Sequence, residues 1–306
     1  MYTAPQGNPV DPNSMAALRA RLRPMGIGDI LDETFRLYRA NFVLFLSIVA
    51  VLEVPAQIIA TLISLAAPQP LQVVPGQSLT QDQTNQLIST NLSSISFTSI
   101  GSLIASFASV VIAAALAWAV SNRYLGRTVT VGEAYRAVTG RIGTLVVAAL
   151  WVGVRLGLMA ITVIGIPFAI YFGVSWALLS QTIVLEGNSI GGASQRSREL
   201  VQGYWWKTLG LFLVVLLLIA IVGGIVGGVF VAVVSGADYE TKRIVTGVAQ
   251  LIVGVLLTPI QIVATTLLFY DLKIRKEAFD LEAMVGQLSS SPDSPYSSSS
   301  SSQQPL

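Results

Sequence analysis

The chain of 306 residues contains no histidine and no cysteine, and only 11% of it is charged. Without histidine there is no imidazole base, no Ser-His-Asp or Cys-His site, no His-held zinc or haem and no imidazole pH switch. Without cysteine there are no disulfides, thiolate metal sites, iron–sulfur clusters or palmitoylation. Soluble domains carry about 25% charged residues, so these few charges cannot clothe a globular surface. Hydrophobic residues make up 53%. The composition predicts an all-α, multi-pass membrane protein. It holds no Gly-rich phosphate loop, paired carboxylates or metal-ligand spacing, so no catalytic, cofactor or metal residue is assigned and an enzyme is not expected. The net charge of +2 gives no reason to expect nucleic acid as a partner.

Six apolar stretches lie near 42–66, 95–120, 142–164, 166–185, 208–234 and 244–270. Each has about 20 residues or more, enough to cross about 30 Å of hydrocarbon at 1.5 Å per residue. Gly165-Ile166-Pro167 separates the third from the fourth, so Gly is expected to end one helix and Pro to start the next. Residues 1–22 and the Ser-rich stretch 286–306 are expected to be disordered tails flanking a transmembrane domain over 23–285. No apolar run follows a basic start, so a cleavable signal peptide is not expected. Residues 67–94 are expected to form a long outer loop, charged only at Asp82. The sequon-like Asn91-Leu92-Ser93 within it is taken as chance.

Basic residues orient the spans. Arg19, Arg21, Arg23, Arg36 and Arg39, then Arg123, Arg127, Arg136 and Arg141, then Arg196, Arg198 and Lys207, and finally Lys273, Arg275 and Lys276 fall on one side. Lys242 and Arg243 fall on the other, and Arg155 lies inside a span. The positive-inside rule then places both termini in the cytoplasm of a bacterial cell. Tyr38, Phe42, Tyr124, Trp205, Trp206 and Tyr270 fall near the inner interface, where amphipathic rings prefer to sit.

Three stretches resemble one another: Ile27-Gly28-Asp29 to Phe42, Val131-Gly132-Glu133 to Leu145, and Ile190-Gly191-Gly192 to Trp206. Each is an apolar residue, a glycine, an amphipathic run and then a span. Ile27, Ile30, Leu31, Phe35, Tyr38 and Phe42 share a helical face. Asp32 and Arg36 are spaced as an i,i+4 pair. Thr130 and Glu133 are spaced as a capping box. The unit is an interfacial helix followed by a hairpin of two spans, used three times.

Arg23-Pro24-Met25-Gly26-Ile27-Gly28-Asp29-Ile30-Leu31-Asp32, with Phe35-Arg36-Leu37-Tyr38-Arg39, resembles the glycerophosphoryl diester phosphodiesterase membrane domain family. So do Arg196-Ser197, Leu200-Val201, Gly203 and Trp205-Trp206-Lys207. Tyr270-Asp271-Leu272-Lys273-Ile274-Arg275-Lys276-Glu277, with Phe279-Asp280-Leu281-Glu282, is the most specific stretch. The resemblance implies an integral membrane protein. The soluble phosphodiesterase barrel that gives the family its name needs histidines that this chain lacks, so the activity is not carried over, nor are any functional residues.

Glu53 and Arg155 are the formal charges deep within spans, at similar depth, and are expected to form an intramembrane pair. Pro55 and Gln57 in the first span resemble Pro259 and Gln261 in the last, where a proline frees a carbonyl and a polar neighbour can use it. Gly223, Gly224, Gly227 and Gly228 form a small-residue face for helix packing. Lys273, Arg275 and Lys276 are candidate lipid-headgroup contacts. The favoured role is a non-enzymatic scaffold or accessory subunit in the cell envelope or lipid metabolism. The alternative is a small-molecule or lipid transporter with an intramembrane polar site. Membrane lipid is the expected partner, with another membrane protein as an open alternative.

Overall fold

The structure, a computed structural model, describes residues 24–68 and 80–290, with side chains as far as Glu277. All regular structure among the described residues is helical: α1 (Ile27–Ala40), α2 (Phe42–Leu65), α3 (Gln81–Tyr124), α4 (Val131–Thr139), α5 (Ile142–Ala160), α6 (Gly165–Ser175), α7 (Leu179–Gln181, running into a π turn at Thr182–Glu186), α8 (Ile190–Val201), α9 (Trp205–Val233) and α10 (Tyr239–Ser290). Six stretches are long and apolar enough to span a membrane: α2, α3, α5, Gly165–Glu186, α9 and α10. The molecule is an all-α membrane protein with six candidate spans.

A short helix stands ahead of the first, third and fifth spans, and the three share one burial register. Three and seven residues beyond Ile27, Val131 and Ile190 the side chains are buried: Ile30 and Thr34, Ala134 and Val138, Ala193 and Ser197. This is one helical stripe repeated three times. Each helix also begins with a local cap. Asp29 accepts from the Gly26 amide at 2.8 Å. Thr130 and Glu133 form the expected capping box, at 2.8 and 3.3 Å. Ser189 accepts from Gly192 N at 3.4 Å. These caps satisfy amides that a helix start leaves without partners.

Four expectations need correction. Arg36 pairs with Glu33, at 2.6 and 2.7 Å, and not with Asp32; the i,i+3 carboxylate meets one edge of the guanidinium, taking a hydrogen bond from Nε on one oxygen and from Nη2 on the other. The outer loop is shorter than expected: α3 starts at Gln81, fourteen residues before the apolar run at 95. A capping box of Thr80 and Gln83 starts it, and hydroxyls such as those of Ser93, Ser96 and Thr98 find partners in the i−4 carbonyls of the same helix. Gly165 opens α6 instead of closing α5, so the third and fourth spans are joined by residues 161–164. The fourth span is also broken, at Trp176-Ala177-Leu178 and again by the π turn. Arg141 from the start of α5 donates to the carbonyls of Ile183 and Val184, the ends freed by that π turn. Gly187 follows at φ +79°, with room for a Cβ only 3.0 Å from the Arg141 guanidinium.

The chain divides into two compact units. Met25–Phe269 is the larger; of the other, Pro24 and residues 270–290 are described. In the terminal unit α10 stays helical to Ser290, so 286–290 of the expected C-terminal tail are helix. The rest of that tail, and the N-terminal tail 1–22, lie outside the described residues. Within the larger unit α2 and α3 pack along much of their length, on Phe45, Ile48, Ile112 and Leu116. Elsewhere it is bare: only 11% of the most apolar window of α5, and 11% of that of α9, is buried.

Candidate functional site

Along one face of α2 the residues Glu53, Gln57, Thr61 and Ser64 follow at spacings of four, four and three, which places them in one row. The facing row on α10 is Arg243, Gly247, Gln250 and Gly254. The rows meet antiparallel. Arg243 donates to the Ser64 carbonyl. A Cβ on Gly247 would stand 2.6 Å from Thr61 Oγ1. Gln57 Nε2 donates to Gln250 Oε1 at 3.3 Å. Glu53 Oε1 lies 3.1 Å from where a Cβ on Gly254 would be. Each rung thus sets a polar group against glycine or another polar group, and the two glycines let the helices approach.

Where α3 joins this seam a cleft of about 460 Å³ opens, lined by Gln57, Thr61, Ser64, Ser102, Arg243 and Gln250 among others. A second hollow of about 680 Å³ shares Thr98, Ser102, Tyr239 and Arg243 and adds Ile95 and Leu103. Its hydroxyls donate to backbone: Thr98 to Ser94 O at 2.8 Å and Ser102 to Thr98 O at 2.9 Å. Their oxygens therefore remain as acceptors. The Arg243 guanidinium lies 4.5 Å from the Tyr239 ring centroid. Just before α10, Asp238 takes hydrogen bonds from Thr241, which hold its carboxyl below the usual range.

Two tyrosines approach the other end of the seam. Tyr38 of α1 donates to Leu256 O of α10 at 3.0 Å. Tyr135 of α4 donates to Ile48 O of α2. Burial raises both phenols, Tyr135 to about 12. The first two short helices are thereby tied to the two helices that form the seam. The third helix is tied locally: Ser197 donates to Ser175 O at 2.8 Å and accepts from Leu178 N at 3.2 Å.

The residues expected to matter are distributed unevenly. Glu53 and Gln57 are in the seam. Among the described residues, however, no ion pair joins Glu53 to Arg155. Arg155 is exposed and lies over the Trp151 ring at 4.0 Å, on its own helix. Equal depth did not bring the two together, because α5 turns that face outward. Pro55 and Pro259 both sit inside continuous helices. Gln261 is not the counterpart of Gln57; it is exposed, and Gln250 takes that place. The four glycines of α9 do not form a packed face either. Gly223 faces Val253, with 3.5 Å left for a Cβ, but a Cβ on Gly224, Gly227 or Gly228 would meet nothing within 4 Å. Lys273 lies 3.7 Å from Glu277 and Arg275 3.1 Å from Asp271, so these two cations of the C-terminal cluster have acidic neighbours on their own helix. Lys276 is half-buried. Sequence reasoning missed Arg243, Gln250, Gly247 and Gly254. Their signal was a polar-or-glycine row at helical spacing within an apolar span, which matches the row on α2.

The architecture defines a multi-pass α-helical membrane protein with a polar seam between its first and last spans. The chain belongs to the family described as a domain of unknown function, DUF8558, whose model matches residues 134–293, just over half its length. That match begins within α4, covers α5 to α10 and leaves out α1, α2 and α3. No curated protein and no solved structure matches the chain.

Proposed function

We propose that this is a non-enzymatic protein of the bacterial cytoplasmic membrane that moves an amphiphile across it through the α2–α3–α10 seam. The observation that carries this reading is the cleft of about 460 Å³, a size suited to a small ligand, set among span-forming helices with Arg243 at its edge. The neighbouring hollow mixes hydroxyls with Ile95 and Leu103, which suits a molecule with a polar head and an apolar chain. Fifteen of the 18 basic residues fall on one side of the six spans, which supports cytoplasmic termini and an outward-facing cleft. In this orientation α1, α4 and α8 lie along the inner interface, and Lys273, Arg275 and Lys276 stand among inner-leaflet headgroups. The resemblance to the membrane region of glycerophosphoryl diester phosphodiesterases fits the same picture.

Reconstitution tests it. Liposomes carrying fluorescent phosphatidylglycerol or phosphatidylethanolamine are treated with dithionite, which quenches only outer-leaflet label. Faster loss of the protected fraction than in protein-free liposomes is expected, with Ser102→Trp slowing it by filling both hollows. Folded, monodisperse protein that leaves the protected fraction unchanged overturns the proposal.

A second reading, a scaffold or accessory subunit, rests on α5 and α9, whose apolar faces are almost wholly uncovered. Crosslinking in native membranes followed by mass spectrometry would return a stoichiometric partner attached through these helices.

A further inference from the structure

Glu53 is the carboxylate at the inner end of the seam, and the groups around it give it a distinct chemistry. It lies eleven residues beyond Phe42, about 16 Å along the helix axis. It is half-buried, and among the described residues it has no hydrogen bond or ion pair. Its neighbour on α10 is Gly254, which offers neither charge nor side chain. Between Phe42 and Leu65 α2 carries no other charge. From Asp82 to Arg123 α3 carries no titratable group, nor does α10 from Arg243 to Tyr270. Arg243 is eleven residues from Gly254, about 16 Å, and is engaged by Ser64 O and Tyr239. On the inner side the titratable groups that reach the two seam helices are the hydroxyls of Tyr38 and Tyr135, which donate to Leu256 O and Ile48 O. A carboxylate held apart from cations at this depth is costly to keep charged. It escapes that cost by taking a proton.

The rungs supply the route. Gln57 with Gln250, then Thr61, then Ser64 with Arg243 stand in one row at helical spacing between Glu53 and the far end of the seam, and all of them line the cleft. We propose that Glu53 is a proton-binding site that exchanges with water through this row, one proton passing from hydronium to the carboxylate to give a neutral acid and water. A metal cation is a poorer occupant. Sodium or calcium needs several oxygen ligands, and among the described residues no acidic cluster could hold one. The inference deepens the transport reading, on which it rests only in giving the proton a use, as the coupling ion.

Two measurements on the full-length protein test it, and neither needs a substrate. In nanodiscs, acid-minus-alkaline infrared difference spectra are compared between wild type and Glu53→Gln. The expected result is a carboxylic-acid band that persists at neutral pH in wild type and is lost in the variant. If Glu53 ionises together with the surface carboxylates, the proposal is overturned. The second measurement exploits the absence of cysteine and does not depend on how Glu53→Gln folds. Ser64→Cys, Thr61→Cys and Gln57→Cys are labelled with a hydrophilic thiol reagent, with lipid-facing Ile58→Cys as reference. The three seam positions should react several-fold faster than position 58. Equal rates at 57 and 58 mean a dry seam and also overturn it. Lipid flux indifferent to pH and to Glu53→Gln removes this inference and leaves the transport reading; a titrating Glu53 without flux does the reverse.

Discussion

Two regions of this molecule are built from apolar helices and behave in opposite ways. On one, α2 and α10 meet along rungs of polar and small residues, with α3 closing the cleft beside them. On the other, α5 and α9 present Leu, Ile and Val with almost nothing against them. In a membrane, lipid chains are as apolar as leucine, so apolar content does not hold helices together; close packing and interhelical hydrogen bonds do. Gly247 and Gly227 show the difference. Both are glycines inside spans, but a side chain at 247 would run into Thr61, and one at 227 would meet open space.

That pair gives the test with the largest expected effect. Gly247→Leu should destabilise the protein by about 1–3 kcal/mol through overpacking, read as a lower Tm in detergent. Gly227→Leu should stay within about 0.5 kcal/mol. Equal losses would break the comparison and mean that α9 has a partner in solution, a copy of itself or another protein.

The short helices are anchored to the packed face, and smaller effects are expected there. Thr130→Ala removes the cap of α4 and should cost about 1 kcal/mol. Tyr135→Phe removes the bond to Ile48 O and should cost about 1 kcal/mol. The same tyrosine carries a pH signature. Its folded value is raised from 10.0 to about 12 because burial disfavours the phenolate. The folded state therefore holds the proton more tightly than the unfolded chain. Its contribution is complete below about pH 10 and is lost as pH rises towards about 12. Wild-type stability should fall over that window by more than the stability of Tyr135→Phe. Parallel declines would place the phenol in water.

The smallest effect belongs to the bare face. Arg155→Gln should change Tm little, since Arg155 is exposed and meets only Trp151 of its own helix. A large drop would mean that this arginine is held by something outside the chain.

Much of the fold was legible because it depends on local chemistry. The six candidate spans follow from run length, the cap of α4 from Thr130 and Glu133 three positions apart, and the short helices ahead of alternate spans from recurring glycines. Two of the errors at spans had local causes. A polar stretch that read as loop belongs to α3, where its hydroxyls find partners in the same helix. The break at Trp176 has no proline or glycine to mark it. The site was half legible. Glu53 and Gln57 stood out as polar groups in apolar surroundings, whereas Gly247 and Gly254 stood out as nothing, since a glycine matters only for what comes against it.

The sequence by itself determined that this chain has six stretches long and apolar enough to span a membrane, where its charges lie between them and which side chains it lacks, because hydropathy and charge act residue by residue. Only the tertiary structure decided that Glu53 faces Gly254 and not Arg155, and that Gln57 meets Gln250 and not a counterpart of Gln261. Depth along a span is set by counting residues, but the neighbour at that depth is set by how each helix is rotated about its own axis, and that rotation is fixed by packing against the others.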